Sequence, residues 1–147
     1  MKPFLALVLI LFLVLSSVFT VKNISKEYFD KKEIEALAYN IYFEARNSTI
    51  EDQIATAVVV LNRGMPSIEV YKKEQFSWTV EYAVPAENVV LKRCRAIARM
   101  VYHNHDMFKS NNICKHYTAI DAKYNEGHWT KTFKRRTQIG KHFYYCN

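Results

Sequence analysis

Apolar and polar positions alternate in different rhythms along this chain, and each rhythm predicts a different element. Phe4 to Val21 is apolar throughout except for Ser16, Ser17 and Thr20. From Ile34 the apolar positions become periodic. Ile34, Leu37, Ala38, Ile41, Tyr42 and Ala45 recur at i, i+3, i+4 and i+7, which predicts a buried helical stripe. Tyr39 and Phe43 fall on the opposite face, so this helix is apolar nearly all round. Asp30 followed by Glu33 resembles a capping box, which sets its start near Lys31 and its run to Arg46. Residues 23–32, polar and lysine-rich, read as a short linker ahead of it. Ser48 with Glu51 forms a second capping box. It predicts a helix over 50–62 with Ile54, Ala55, Ala57, Val58 and Leu61 as its buried stripe, closed by Gly64 and stopped by Pro66.

Residues 65–84 lack a helical period but carry Tyr71, Phe76, Trp78 and Tyr82. A loop this long and aromatic is more than a connector, and its rings either cover the core or line a groove. Pro85 fits the first turn of a third helix running to Tyr102. Val90, Cys94, Ile97, Ala98 and Val101 make its core face, and Lys92, Arg93, Arg95 and Arg99 form a solvated basic face. Beyond Asn104 the pattern shortens. His116 to Ile120 reads as a strand. Thr137–Ile139 and His142–Tyr145 read as a hairpin about Gly140-Lys141. The class is α+β, mostly helical with a small β-region near the carboxyl end. The expected organisation is an apolar segment over 1–22, a linker over 23–32 and one folded domain over 33–147.

The apolar segment reads as a signal peptide or a membrane anchor. A cleavable signal ends in small residues, whereas this one ends Val18-Phe19-Thr20-Val21, which favours an uncleaved anchor. Lys22, Lys26, Lys31 and Lys32 follow it, and the positive-inside tendency would put that flank in the cytoplasm. The formal net charge is +7, and removing Lys2 and Lys22 with the segment leaves +5 on the domain. A basic surface suits an anionic polymer such as nucleic acid, anionic lipid or cell wall, without choosing among them.

The cysteines are Cys94, Cys114 and Cys146, with no C-x-x-C pair, so a zinc ribbon or thioredoxin-type site is not indicated. In an exported domain they count as one disulfide and one free thiol; otherwise they are three buried thiols. Cys114 opens the strand carrying His116-Tyr117, Cys146 closes the last strand, and Cys94 lies in a helix stripe. A Cys114–Cys146 bridge is therefore expected.

Glu44 is the one carboxylate on the first buried helix between Glu35 and its end. Partial desolvation at the margin of the stripe would raise its pKa, as a general acid near neutral pH requires. The alternative is a structural ion pair with Arg46 or Arg63.

Several segments in order resemble the SleB-type cell-wall hydrolases, the spore-cortex-lytic family also found as phage endolysins. These are Asn40-Ile41-Tyr42-Phe43-Glu44-Ala45-Arg46, Gln53 through Arg63, Gln75-Phe76-Ser77-Trp78, His116-Tyr117, Trp129, and Ile139-Gly140-Lys141-His142-Phe143-Tyr144. The resemblance is collinear over about residues 34–145. It implies a lysozyme-like catalytic domain related to lytic transglycosylases, cleaving the β-1,4 bond between N-acetylmuramic acid and N-acetylglucosamine. It also implies that Glu44 is the catalytic acid/base. The chain departs from the family in three places. Asn47-Ser48 stands where Gly-Glu is usual, so no second carboxylate carries over from there. Cys114-Lys115 replaces a frequent Gly-Ala, and Gly127 stands where a Pro usually precedes the Trp.

A two-carboxylate hydrolase needs a second acid across the bond, for which Glu51, Asp52 and Asp121 are available. A lytic transglycosylase needs one: it protonates the leaving oxygen, then activates the muramic acid 6-hydroxyl to close a 1,6-anhydro ring. Gln75, Phe76, His116, Tyr117 and Trp129 are the candidates for holding sugar, with core packing as the other role for Phe76 and Trp129. No metal or cofactor is expected. The expected partners are peptidoglycan strands and, through residues 4–21, a membrane, with the domain exported to the periplasmic or extracellular side. Two other readings remain: a non-catalytic wall-binding module, and a metal-dependent nuclease using His103, His105, Asp106, Cys114 and His116. The nuclease spacing matches no zinc or H-E-x-x-H site, so nucleic acid is not an expected partner.

Overall fold

The structure is a computed structural model that describes residues 2–72, 75–79, 84–108, 114–119 and 135–146. The chain divides into two compact units, Met1–Lys32 and Glu33–Asn147. Helix α1 is Lys2–Ala45. It is followed by α2 (Ile50–Arg63), a short α3 (Pro66–Glu69), a 3₁₀ turn (Ser77–Thr79), α4 (Val89–His103) and a short α5 (His105–Phe108). The strands β1 (Cys114–Ala119), β2 (Arg135–Ile139) and β3 (His142–Cys146) complete an α+β fold.

In the first unit, α1 is long and apolar enough to cross a membrane by length and composition, with a window of mean hydropathy 2.0. Its large apolar side chains from Val8 to Val21 are exposed. Residues 23–32, read from the sequence as a short linker, are helical, which corrects the expected helix start near Lys31. No Gly or Pro interrupts the stretch, and a helix already nucleated upstream propagates through polar residues without a new cap.

In the second unit, Ile34, Leu37, Ala38 and Ile41 of α1 meet Ala57 and Val60 of α2 and Cys94, Ile97, Ala98 and Val101 of α4. Val70 and Phe76 close the same core. Buried Glu33 accepts bonds from Ser67 N–H (2.7 Å) and Ser67 Oγ (2.5 Å), so its carboxylate serves the exposed donors at the start of α3.

Two helix starts differ from expectation. Thr49, not Ser48, caps α2 by accepting from Asp52 N–H at 3.3 Å. Ser48 instead gives its hydroxyl to the Asp52 side chain. The third helix begins at Val89 rather than Pro85, because Asn88 accepts from Leu91 N–H at 2.9 Å and is the stronger cap. The basic face of α4 is not simply solvated. Arg95 bonds Glu35 in a fork at 2.8 and 2.6 Å and Glu87 at 2.5 Å.

The sheet order is β1-β3-β2, all antiparallel, with β3 central. Ile139 pairs with His142 across Gly140-Lys141. The β1–β3 register shifts between Cys114 and His116. The end of α2 takes up the carbonyls beside this bulge: Asn62 Nδ2 donates to Cys114 O at 2.9 Å, and Arg63 Nε donates to Lys115 O. Cys114 and Cys146 are joined by a disulfide, and Cys94 is a buried free thiol.

Candidate active site

The last turn of α1 brings Glu44 to a corner. Ser48 N–H bonds Ala45 O at 2.9 Å, turning the chain into α2. The helix-end carbonyls that have no intrahelical donor are served from elsewhere. Buried Gln53 donates Nε2 to Ser48 O at 3.1 Å, and Arg93 donates to Arg46 O at 2.9 Å. This explains why a glutamine, and not an apolar residue, lies inside α2.

Against the corner lies a cleft of about 230 Å³. Phe43, Glu44, Arg46, Asn47 and Ser48 line it from α1 and the turn, and Ala119, Lys141 and His142 line it from the sheet. Glu44 is its sole carboxylate among the described residues. Burial pushes the Glu44 pKa above its ordinary value, partly offset by the charge of His142 and by the Trp78 indole. The position of Glu44 at the C-terminal end of a helix works in the same direction as burial, since the helix dipole disfavours an anion there. Trp78 stacks on Phe43 with ring centroids 4.5 Å apart, and its buried Nε1 has no acceptor at full hydrogen-bond geometry.

The other wall rests on Asp52, which is fully buried. It accepts from His142 Nδ1 (2.9 Å), Lys141 N–H (2.9 Å), Tyr144 OH (2.5 Å) and Ser48 Oγ. Burial alone would raise its pKa; the bonds from His142, Ser48, Tyr144 and Lys141 more than offset it and hold the carboxyl down at about 2. Tyr144 OH also lies 2.9 Å from Thr56 Oγ1, so the network is anchored twice on α2.

Gly140 makes this approach possible. It sits at φ +54, and a Cβ there would come within 2.6 Å of Asp52 Oδ2 and 2.7 Å of Ser48 Oγ. Only a residue without a side chain lets the turn close on the carboxylate.

The residues expected to hold sugar separate into different environments. Tyr117 is beside the site: its OH accepts from Asn40 Nδ2 at 3.2 Å, its ring meets His142 edge-on at 5.3 Å, and its pKa is raised by burial and then by Glu44. Phe76 is 7% exposed and belongs to the core, stacked between Trp78 and Tyr117. Gln75 is half-buried in a turn, its N–H on Lys72 O at 3.1 Å. His116 is half-buried with its pKa lowered by burial and by Arg63, and it does not line the cleft. Trp129 and Asp121 lie outside the described residues. Of the other acids considered, Glu51 is exposed on the first turn of α2 and Asp52 is saturated with donors. His105 Nε2 lies 3.0 Å from Asn62 Oδ1, and His103 is exposed at the end of α4.

Sequence reasoning missed His142 and Trp78 as parts of the site. Both stand inside segments that carry the family resemblance, and that was the available signal. Comparison with family models finds no match. Curated proteins and solved structures likewise return none.

Proposed function

We propose that this chain is a peptidoglycan-cleaving enzyme of the lytic transglycosylase type, with Glu44 as its single acid/base. The observation that carries the reading is the pairing of a desolvated Glu44 with a cleft that offers no second carboxylate among the described residues. Asp52, the nearest alternative, is buried and committed to four donors, so it has no lone pair aimed at a sugar. The likeness of residues 34–145 to SleB-type hydrolases supports the substrate class.

In this reading, protonated Glu44 gives its proton to the glycosidic oxygen as the bond to C1 of the muramic acid breaks. The N-acetyl group assists at C1. The Glu44 carboxylate then takes the proton of the 6-hydroxyl as that oxygen closes onto C1, which restores the acid and releases a 1,6-anhydro end. Arg46 and Lys141 put positive charge on the cleft, which suits the carboxylates of muramic acid and its peptide. The apolar part of α1 serves as a signal-anchor that keeps the domain on the exported side.

Mass spectrometry of the muropeptides released from purified walls tests the proposal, with Glu44→Gln as the comparison. Anhydro-muramoyl ends from the wild type and none from the variant are expected. Reducing ends, with Asp121→Asn as inactive as Glu44→Gln, would favour a two-carboxylate muramidase. Undiminished lysis by Glu44→Gln would remove Glu44 from the mechanism.

A further inference from the structure

The cleft and its rim carry fixed positive charge that proton transfer by a single Glu does not use. Arg46 lines the cleft and is half-buried. Its guanidinium carbon lies 4.9 Å from the centre of the Tyr42 ring, and its Nη1 donates to Tyr42 O at 3.4 Å. Arg93 reaches the same corner from α4 and donates Nη2 to Arg46 O at 2.9 Å. A guanidinium has further N–H donors beyond that one. Lys141 lines the opposite wall; its backbone N–H is pinned on Asp52 at 2.9 Å, while the residue itself is exposed. Among the described residues none of these three forms an ion pair, whereas Arg95, two positions from Arg93, is held by both Glu35 and Glu87. Asp52, the acid behind Lys141, is already committed to four donors. With Glu44 protonated, the site therefore presents cations and no available anion.

We propose that Arg46, Arg93 and Lys141 form a carboxylate subsite beside Glu44, which takes the acidic substituent on the lactyl ether of muramic acid and selects acidic glycans over neutral ones. The inference rests on the reading of Glu44 as the acid of a peptidoglycan-cleaving enzyme. In that reaction the bond broken is at C1 of muramic acid, so the lactyl group belongs to the sugar that Glu44 touches. Muramic acid differs from N-acetylglucosamine by that ether, which ends in a carboxylate or in an acidic peptide. At about 230 Å³ the cleft is smaller than the roughly 300–1,000 Å³ of ordinary ligand pockets. A sugar seated against Glu44 fills most of it, and the substituents of that sugar project to the rim where the cations stand. The planar arginine forks match a carboxylate through paired N–H bonds, and Lys141 adds a point charge from the other wall. A neutral chitin-like strand offers these groups no counter-charge. What moves the Glu44 pKa is burial, then His142 and Trp78. The subsite therefore holds a substrate anion without drawing the proton off the acid.

The experiment is isothermal titration calorimetry of the full chain in neutral detergent micelles, in the Glu44→Gln background so that the ligand is not cut. The probes are a peptide-free tetrasaccharide of alternating N-acetylglucosamine and N-acetylmuramic acid, the same tetrasaccharide with its carboxylates converted to amides, and the N-acetylglucosamine tetramer. The free acid should bind at least about tenfold more tightly than either neutral probe, the scale of one charge-assisted hydrogen bond. Lys141→Gln and Arg93→Gln should each narrow that gap severalfold. Lys115→Gln removes a charge from the other end of the strand that carries Ala119, and should leave the gap unchanged. Lys141→Gln keeps the backbone bond to Asp52, so it decides alone should Arg93→Gln fail to fold. Equal affinity for acid and amide, no binding by any probe, or a gap narrowed as much by Lys115→Gln as by Lys141→Gln overturns the proposal. Wall lysis by the wild type is read separately. Lysis without an acid preference would sink the subsite alone, and an acid preference in a wild type that cuts no wall would sink the proposed activity alone.

Discussion

Asp52 Oδ2 and His142 Nδ1 lie 2.9 Å apart although the two residues are separated by 90 positions in the chain. That bond joins the first turn of α2 to the first residue of β3, and with it the helical part of the domain to the sheet. Its energetic consequence follows from the depressed carboxyl. An Asp held at about 2, against an ordinary 3.8, contributes stability above pH 3.8 that is lost as pH falls through the folded value. The difference corresponds to about 2 kcal/mol at neutral pH. Asp52→Asn should lower stability by at least that amount at pH 7 and by less near pH 2. Urea melts at the two pH values measure it, and equal losses at both would assign the effect to packing instead.

Gly140→Ala should destabilise the hairpin by about 1–3 kcal/mol, the usual cost of a non-glycine residue forced into a strained backbone region. The added methyl also meets Asp52 Oδ2 at 2.6 Å, so the turn must retreat from the carboxylate that fixes His142. Lysis should therefore fall further than the melting temperature predicts. A variant with normal lysis and normal melting would show that the turn has more freedom than its geometry allows.

Glu44→Gln should leave the fold intact, because glutamine keeps the shape at the end of α1. The raised pKa of Glu44 means that the folded state holds this proton more tightly than the unfolded chain. Its stability contribution is complete below the ordinary value of 4.5 and is lost as pH rises through the raised folded value. The variant should thus match the wild type near pH 4 and melt higher than it near pH 7. Wall lysis should drop at least 10²–10⁴-fold, roughly the range of general acid–base catalysis. Calorimetry at the two pH values checks the first part and turbidity of wall suspensions the second.

Reduction of the Cys114–Cys146 bridge should cost about 3–4 kcal/mol, the chain-entropy scale for a closed loop of about 30 residues. Melting with and without a thiol reductant measures this. Cys94→Ala should respond to reductant as the wild type does, because Cys94 is a buried free thiol outside the bridge. A response that disappears in Cys94→Ala would implicate the wrong cysteine.

If the apolar helix with exposed Val8 to Val21 is the anchor proposed above, the chain should pellet with membranes and resist alkaline carbonate extraction. Amino-terminal sequencing of that material should begin at the original terminus. A mature protein starting near residue 21–25 would replace the anchor with a cleaved signal.

What was legible in the sequence was local. The stripe Ile34, Leu37, Ala38 and Ile41 is buried because helical period alone selects it. The hairpin about Gly140-Lys141 was readable from alternation and a glycine. The helix starts at Thr49 and Asn88 were misjudged because neighbouring residues, Ser48 and Pro85, satisfy the same short rules. The continuity of α1 through 23–32 was hidden by charge, which marks solvent exposure and not loss of helix. Glu44 stood out as a lone acid in apolar company, but the Asp52–His142 contact depends on where two distant segments meet, and no spacing rule carries that. Phe76 shows the same limit: the sequence left it open between a sugar platform and core packing, and only its place in the core cluster, stacked with Tyr117 of β1, chooses the second.

The walls of the cleft come from opposite ends of the domain, Glu44 from its first helix and His142 from its last strand. During synthesis Glu44 is made before its opposing wall. A nascent or prematurely ended chain therefore carries Glu44 without a cleft around it, and contacts this distant in sequence form late and slowly. The cleft is in this way assembled only when β3 joins the helices, so a molecule clipped ahead of β3 displays Glu44 with no wall opposite it.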